Sequence, residues 1–471
     1  MSPGWRRSVM FYSRVLRASV VALMVAAVPV GAKAESLREA LASAYANNPN
    51  ITSALLAVKS SAEDIAIRKA GKLPTVGIGA TIADNFSLGG STLGGGNGVT
   101  GSQKASVGVS YGQNLFDNGL SDAQIEQARA LTEVAEQAMR NAEQNVLLDV
   151  VQAYMGVIRD TQLVKLRSDN VNFLQAQVKS ANDRLDIGEG TKLDVSQAQT
   201  SLATGIASYK AAIASLQTSQ ASYERWVGHK PKNLSQDFNF RGMLPKSIDT
   251  ALKGADTYHP AILSAKAAIR AAQSGTDAAQ AAFGPSIDVS GNIGLAQSFG
   301  GNGGVNSPPL TGGLSLSLSI PIYAGGQLGA TVRKANIGQM KSEVDAQATR
   351  DEVHEAVVTA WATLQNSVAQ IDAAQQALDA AGLALDATVQ SRDVGQSTTL
   401  DVLDAQATVT SAREALVQAT TSRIISSFAL VASSGKLSAQ DLGLPVAIKS
   451  AAKYTATVED VWQELRSIPD E

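Results

Sequence analysis

The sequence of 471 residues contains no cysteine and only three histidines, and both shortages exclude kinds of chemistry. Without cysteine the chain has no disulfide, no thiolate metal ligand and no thiol nucleophile. The histidines, His229, His259 and His354, lie far apart and lack the HExxH spacing of zinc hydrolases. Gly435-Lys436 lacks the upstream glycine and the following hydroxyl of a phosphate-binding loop. The sequence therefore predicts no enzymatic activity, no cofactor and no metal site.

Long hydrophobic runs are also missing. The most apolar stretch, Val20–Val30, is too short for a helix that crosses ~30 Å of hydrocarbon. Four arginines precede it and Ala32-Lys33-Ala34 follows it, which is the order of a secretory signal peptide, so we expect residues 1–34 to be removed. Removal takes away five basic residues and leaves 34 basic and 42 acidic residues, a net charge of −8. An exported acidic protein is not expected to bind nucleic acid.

The mature sequence consists of two copies of one unit. Pro49 and Pro74 correspond to Pro260 and Pro285 at an offset of 211. Further along, DIGEGTKLDVSQAQTSL and DVGQSTTLDVLDAQATV correspond at an offset of 207. Chance similarity between alanine-rich helices does not explain prolines, glycines and aspartates that keep their order. We predict copy one at residues 35–245, copy two at residues 246–436, and a C-terminal segment at residues 437–471 that contains a short helix.

Proline is absent from residues 75–230 and 322–444, and this absence permits very long helices. Apolar residues recur there at steps of three and four, as in Val146, Val150 and Ala153. The pattern predicts helical hairpins at residues 119–228 and 326–434. Helices so long and so alanine-rich must pack against neighbours in coiled-coil fashion to be stable.

Four segments alternate between apolar and small or polar residues, which is typical of strands. We predict strands at about residues 74–84, 105–116, 285–296 and 313–323, joined within each copy by uncharged glycine-rich loops at residues 86–103 and 297–312. Each strand has the length needed to cross a bilayer at a tilt. A soluble sandwich shows the same alternation, but four strands flanked by such long helices favour a membrane barrel.

Four strands cannot close a barrel, and an open sheet edge in lipid leaves backbone groups without hydrogen-bond partners. Sister subunits must therefore supply the rest. Two protomers would give eight strands and a lumen filled by side chains, whereas three would give twelve strands and a water-filled pore. The residues alone leave both possibilities open.

The chain resembles the TolC family of outer-membrane efflux channels. The resemblance rests on ALASAYANNPNI near the start, the turns DIGEG and DVGQS, the DVLDAQ that follows, and LSAQDLGLPV at residues 437–446. It implies an α+β membrane protein: a homotrimer with a twelve-strand barrel in outer-membrane lipid and a periplasmic helical tunnel. It also implies a periplasmic adaptor and an inner-membrane pump of RND or ABC type as partners, and export of small toxic compounds, proteins or both. The alternative is an exported trimeric coiled-coil fibre or adhesin with a barrel anchor.

The resemblance also implies roles for particular residues. The turns at Ile187-Gly188 and Val394-Gly395 would dock the adaptor. Asp401 and Asp404, three residues apart on one helix face, would narrow the inner end of the pore as two rings of carboxylates. As an isolated pair, the same aspartates are better explained as solvated acids at a helix start, and the resemblance reverses that preference. Asp194, the copy-one counterpart of Asp401, and Arg392 would latch the closed tip, although Arg392 and Ser397 depart from the family's pattern around the second turn.

Overall fold

A computed structural model of the chain describes residues 34–89, 98–236, 242–299 and 308–459. The predicted signal peptide, residues 1–34, lies outside the described residues except for Ala34. So do the middles of both predicted glycine-rich loops and the end of the predicted C-terminal segment, residues 460–471.

The described elements follow the same order twice. Each half of the chain contributes two short helices, two strands and two long helices, and one more helix follows at the end. The elements are α1 Leu37–Asn47, α2 Pro49–Ala70, β1 Thr75–Gly89, β2 Gly98–Phe116, α3 Leu120–Asp186, α4 Lys192–Val227, α5 Ile248–Tyr258, α6 Pro260–Ala281, β3 Ser286–Phe299, β4 Leu310–Ser319, α7 Gln327–Asp393, α8 Thr399–Ser433 and α9 Ala452–Glu459.

Helices α3 and α7 dominate the molecule, with 67 residues each. At ~1.5 Å per residue each is about 100 Å long. Helices α4 and α8 return alongside the half of each helix that is distant from the sheet, while α2 and α6 pack along the other half of α3. Helix α8 contains an 18-residue window that is apolar enough in composition to cross a membrane, with a mean hydropathy of 1.3. Apolar residues of α8 such as Val402 and Val409 are, however, buried within the helical bundle.

The four strands form one antiparallel sheet in the order β1-β2-β3-β4. The register aligns apolar residues across strands, since Val109 pairs with both Ile78 and Ile293. Along β4, Leu314 and Leu316 are 81% and 70% exposed on this same face. Serines alternate with them on the other face, where Ser290 and Ser315 share a hydrogen bond of 2.8 Å. The sheet therefore has one apolar face, one polar face and two edges, β1 and β4.

The strand ends differ from those predicted. Strands β1 and β2 continue into the predicted loop at residues 86–103, where Phe86 pairs with Gly101. Backbone pairing needs no particular side chain, so glycine-rich segments can extend an antiparallel ladder. Strand β4 begins earlier than predicted and ends at Ser319. Pro321 follows, and it has no N–H to donate to a ladder.

The main core lies at the waist of the molecule, where α1, the middle of α3 and the end of α8 meet. Tyr154 of α3 is fully buried, and its hydroxyl donates to the carbonyl oxygens of Glu35 and Ser235, both at 2.8 Å. Leu437 and Leu444 of the C-terminal segment pack into this cluster. Helix α9 then lies on α2, and Glu459 at its end binds Lys69 and Arg129. The described part of the C-terminal segment, residues 437–459, thus packs against the core at the waist and against α2.

Gly435, just after α8, is the tightest backbone contact of the waist. Its φ is +75°, and a Cβ atom there would lie 2.5 Å from the backbone nitrogen of His259. We expect Gly435→Ala to destabilise the protein by at least about 2 kcal/mol, because the left-handed conformation is unfavourable and the clashing atoms belong to backbone. Thermal unfolding of the purified protein measures the effect. Gly382→Ala in α7, where nothing lies within 4 Å, is the matched control and should leave stability unchanged or slightly higher.

Equivalent caps begin α2 and α6. Asn48 accepts a hydrogen bond from the N–H of Asn50, and His259 accepts one at Nδ1 from the N–H of Ala261, at 3.2 Å. Burial lowers the pKa of His259. The cap also requires an unprotonated Nδ1, so the native state favours neutral imidazole.

This histidine predicts a pH-dependent stability. Because the pKa of His259 is lower in the folded state, its contribution is fully present above the unfolded pKa of ~6.5 and is lost as the pH falls below it. The loss is at most about 1.4 kcal/mol per pH unit. Melting temperatures between pH 8 and pH 5 should fall less in His259→Asn, which copies the Asn48 cap, than in the wild type. Equal slopes would contradict this role.

Candidate functional site

Two similar turns lie at the ends of the long hairpins. The first tip, residues 187–191, joins α3 to α4, and the second tip, residues 394–398, joins α7 to α8. Gly188 and Gly395 have φ values of +82° and +78°, which other residues rarely adopt. The chain then folds back so that the N–H groups of Glu189 and Gln396 donate to carbonyl oxygens of the preceding helix.

Both returning helices start with a capping box. Thr191 and Asp194 cap α4, and Thr398 and Asp401 cap α8. Within each pair, the side chain of one residue accepts a hydrogen bond from the backbone N–H of the other. Ile187 and Val394 are 69% and 71% exposed at the turns. The two tips therefore share a left-handed glycine and a capping box, and each exposes an apolar residue at its turn.

Asp401 and Asp404 lie on one exposed face of α8. Val402 and Leu403 between them are buried, with exposures of 0% and 5%. Hydrogen bonds from the backbone N–H and the hydroxyl of Thr398 hold the pKa of Asp401 below its usual range, so this carboxylate is charged at neutral pH. Asp404 is exposed one turn further along the helix. The arrangement gives each protomer two carboxylates on a free surface beside the second tip.

Asp194 and Arg392 have separate partners in this protomer. The Arg392 guanidinium is buried and donates to Gln177 Oε1 at 2.6 Å and to Asp393 Oδ1 at 2.8 Å. Asp194 accepts from Thr191, which lowers its pKa, with a smaller contribution from Thr399 at the start of α8. The structure thus places both residues near the tips without bringing them together. Sequence reasoning missed Gln177, for which no motif or spacing gives a signal.

A polar network holds the two hairpins together above the tips. Asn170 of α3 accepts hydrogen bonds from Gln406 and Thr410 of α8, at 3.0 and 3.1 Å. Arg167 forms an ion pair with Glu414 of α8. Gln406 and Thr410 are buried, and their other hydrogen bonds are to each other, so Asn170 is the acceptor that ties them to α3. These contacts hold α8 of the copy-two hairpin against α3 of the copy-one hairpin.

The histidines have structural surroundings. His229 lies 3.3 Å from Glu35, His354 lies 3.0 Å from Asp256, and His259 caps α6. Within the described ranges, acidic residues and histidines form no group of three that could hold a metal ion.

Comparisons with known proteins bear on the whole chain. The sequence pattern of the family described as outer membrane efflux protein matches residues 40–229 and 251–436. The chain is 35% identical over 443 residues to the outer membrane efflux protein BepC of Brucella suis, covering 93% of each chain. It is 24% identical over 421 residues to the outer membrane protein TolC of Escherichia coli, covering 87% of this chain and 84% of that protein.

Among solved structures, the CmeC outer membrane channel of Campylobacter jejuni is similar in fold, with a TM-score of 0.73 at 16% identity, over 90% of this chain and 89% of that chain. The predicted α+β architecture of long helices and a small sheet is confirmed. The relatives are outer-membrane channels, which decides against the fibre or adhesin. The chain belongs to the outer membrane efflux protein family, and it is a TolC-type channel that serves as an exit duct through the outer membrane.

Proposed function

We propose that three copies of the chain form the duct, with a twelve-strand barrel in outer-membrane lipid and a periplasmic tunnel of twelve long helices. The observation that carries this proposal is the four-stranded sheet, which is apolar on one face and open at β1 and β4. Each open edge would pair with the opposite edge of the next copy, because β1 and β4 run antiparallel when the sheet is continued. Serine, glycine and threonine on the other face would line a pore filled with water.

The inner end of this tunnel would be narrowed by Asp401 and Asp404. Threefold symmetry turns the exposed pair into two stacked rings of three carboxylates. Such rings favour cations and bind multivalent cations that plug the pore.

Contacts near the tips would hold this constriction closed. Arg392 donates a hydrogen bond to Gln177 of α3. The carboxylate of Asp194 lies beside Thr399 at the start of α8. Both link the copy-one hairpin to the copy-two hairpin, so a force that separates the hairpins must break them. The Asn170 network adds a second set of contacts further from the tips.

A periplasmic adaptor would supply that force by docking at the tips. Ile187-Gly188 and Val394-Gly395 give six similar docking turns in a trimer, each with an exposed apolar residue at its end. An inner-membrane pump of RND or ABC type would deliver the cargo. The cargo would be small toxic compounds, proteins or both.

A deletion strain tests the function and its cargo together. Cells without the chain should retain more of a fluorescent efflux dye, and the wild-type chain should restore its release. Complementation with Ile187→Asp plus Val394→Asp should fail although the protein reaches the outer membrane, because apolar docking would bury the two introduced carboxylates. Loss of secreted proteins with unchanged dye release would assign protein export instead. Unchanged dye release together with unchanged secretion would contradict the exit duct.

A further inference from the structure

Glu35, the residue that removal of the signal peptide would place at the start of the chain, is bonded to the core at the waist. Its N–H donates to the carbonyl oxygen of Asn233 at 3.0 Å, and its carbonyl oxygen accepts from the N–H of Ser235 at 2.9 Å. Its Oε1 accepts from the hydroxyl of Tyr223 at 2.8 Å, and Tyr223 is fully buried. The expected first residue of the mature chain is therefore fixed by both its backbone and its side chain.

The second carboxylate oxygen of Glu35 lacks a donor. The side chain is 12% exposed, and its Oε2 is buried and accepts no hydrogen bond from any part of the chain that the structure describes. Among the described residues, the one basic group within 4 Å is His229, whose Nε2 lies 3.3 Å from Oε1 and is charged only when protonated. A largely buried carboxylate that is only partly bonded is unfavourable, so a further cationic donor would stabilise it.

The groups that pack around Glu35 make its surroundings negative. Tyr154 of α3 and Tyr223 of α4 contribute hydroxyls; burial raises the pKa of both, and the carboxylate of Glu35 raises it further. Glu39 of α1 also raises the pKa of Tyr154, so a second carboxylate lies nearby. Two carboxylates with two neutral hydroxyls and one histidine favour a cation at this place.

Cleavage of the signal peptide would supply that cation. Ala34 is exposed, so the bond that joins it to Glu35 lies at the surface. Hydrolysis adds the hydroxyl of water to the carbonyl carbon of Ala34 and a hydrogen to the nitrogen of Glu35, which takes up one more proton from solvent to become an ammonium. Five covalent bonds separate this nitrogen from Oε2, so the two charges lie within about 6 Å of each other in any rotamer.

We propose that the α-ammonium group left by removal of residues 1–34 pairs with the carboxylate of Glu35 and stabilises the waist of the mature chain. The amide of Glu35 has one proton, which Asn233 accepts, whereas the ammonium has two more to donate. A precursor that retains Ala34 has an uncharged amide here, so its waist lacks the pair. This pair requires cleavage before Glu35 and does not depend on the proposed trimer, adaptor or pump.

Insertion of Gly-Ser between Ala34 and Glu35 tests the pair, because cleavage after Ala34 then leaves an uncharged amide at Glu35. Mass spectrometry should find Glu35 with a free amine at the start of the wild type. In lipid nanodiscs at neutral pH, the insertion should lower the thermal midpoint of the wild type by roughly 2 °C or more. It should change the midpoint of Glu35→Met little, since that chain has no carboxylate to pair. Methionine is used because an amino-terminal glutamine would cyclise and lose its ammonium group.

Glu63→Gln is the matched control. Glu63 of α2 also accepts a hydrogen bond from a tyrosine hydroxyl, that of Tyr454, at 2.6 Å. This change removes a carboxylate from a tyrosine without removing one from the amino terminus. The insertion should therefore lower the midpoint of Glu63→Gln as much as it lowers that of the wild type.

The pair also predicts how the midpoint depends on pH. The carboxylate would raise the pKa of the ammonium above its ordinary value of ~7.7–8.0. A group whose pKa is higher in the folded state contributes fully below its unfolded pKa, and the contribution is lost as the pH rises through the folded pKa. Between about pH 7 and pH 9.5, below the range in which unfolded tyrosine ionises, the midpoint should fall more steeply in the wild type than in the insertion variant.

Three results would overturn the proposal. A wild-type chain that starts at another residue, or whose amine is blocked, would have no ammonium at this place. An insertion that lowers the midpoint equally in the wild type and in Glu35→Met would show that the extension only disturbs packing. Equal pH slopes in the wild type and the insertion variant would show that the charges do not interact. Should Glu35→Met fail to fold, these slopes decide, because both chains keep Glu35.

Discussion

Replacing Asp401 and Asp404 together by asparagine is expected to abolish the cation preference of the channel and to weaken divalent block on the order of a hundredfold. In the proposed trimer the substitutions remove six charges from the proposed constriction and keep side-chain size almost constant. Single-channel recordings in planar bilayers measure both effects, the first from the reversal potential in a salt gradient and the second from the concentration of divalent ion that halves the current.

Two single changes separate charge from local structure. Asp401 also caps α8, so its loss affects the start of the helix, whereas Asp404 takes no part in the capping box. Asp404→Asn alone should therefore reproduce part of the effect with the cap intact. Asp379→Asn, far from the second tip on α7, should leave selectivity unchanged. Wild-type selectivity and block in the double variant would show that the two aspartates are ordinary solvated acids of a helix start.

Leu316→Arg in β4 is expected to prevent assembly into the membrane. Leu316 lies near the middle of the strand on the apolar face and is 70% exposed in the protomer. An arginine that faces lipid near the bilayer midplane costs about 2–4 kcal/mol in a barrel, and a trimer incurs this cost three times. Fractionation of cells that express the variant, followed by unheated gel electrophoresis, measures the amount of assembled protein in the outer membrane.

Ser315→Arg is the matched control. Ser315 is the neighbour of Leu316 on the opposite face, where it bonds Ser290. An arginine there would face water in the lumen, so assembly should persist while conductance falls. If both variants assembled equally well, the apolar face of the sheet would not face lipid.

Local patterns account for what the sequence predicted of the fold. Alternation along a strand and steps of three and four along a helix depend only on neighbouring residues, so four strands and two pairs of very long helices could be inferred directly. The continuation of β1 and β2 into glycine-rich sequence could not be inferred from the sequence, because backbone pairing there leaves no side-chain pattern. The end of β4 could have been predicted from Pro321, because proline has no N–H to continue the hydrogen bonds between strands.

The candidate site depended more on tertiary structure. Periodicity placed Asp401 and Asp404 on one helix face, and the structure leaves that face exposed. Their role as rings stays a prediction that needs three copies of the chain. Arg392 reaches Gln177, which is 215 positions away on α3. That partner depends on how two helices lie against each other, and nothing in either local sequence specifies it. The same holds for Asn170 and its bonds to α8.

Disulfide cross-linking across the open sheet edges tests the shared twelve-strand barrel most directly. The native chain has no cysteine, so only introduced pairs can react. Gly77 or Gly79 of β1 and Ser315 or Ser317 of β4 lie on the polar face, and within one protomer three strand spacings, about 14 Å, separate these edges. This exceeds the reach of a disulfide, so any bond must join two protomers.

Pairs of cysteines, one on each edge, should yield a covalent species of three chains on non-reducing gels in at least one register. Gly77→Cys with Ser110→Cys, which are partners across β1 and β2, should instead give a bond within one chain. The account predicts the three-chain species from oxidised outer membranes. Monomers alone in every register, or a largest species of two chains, would contradict it.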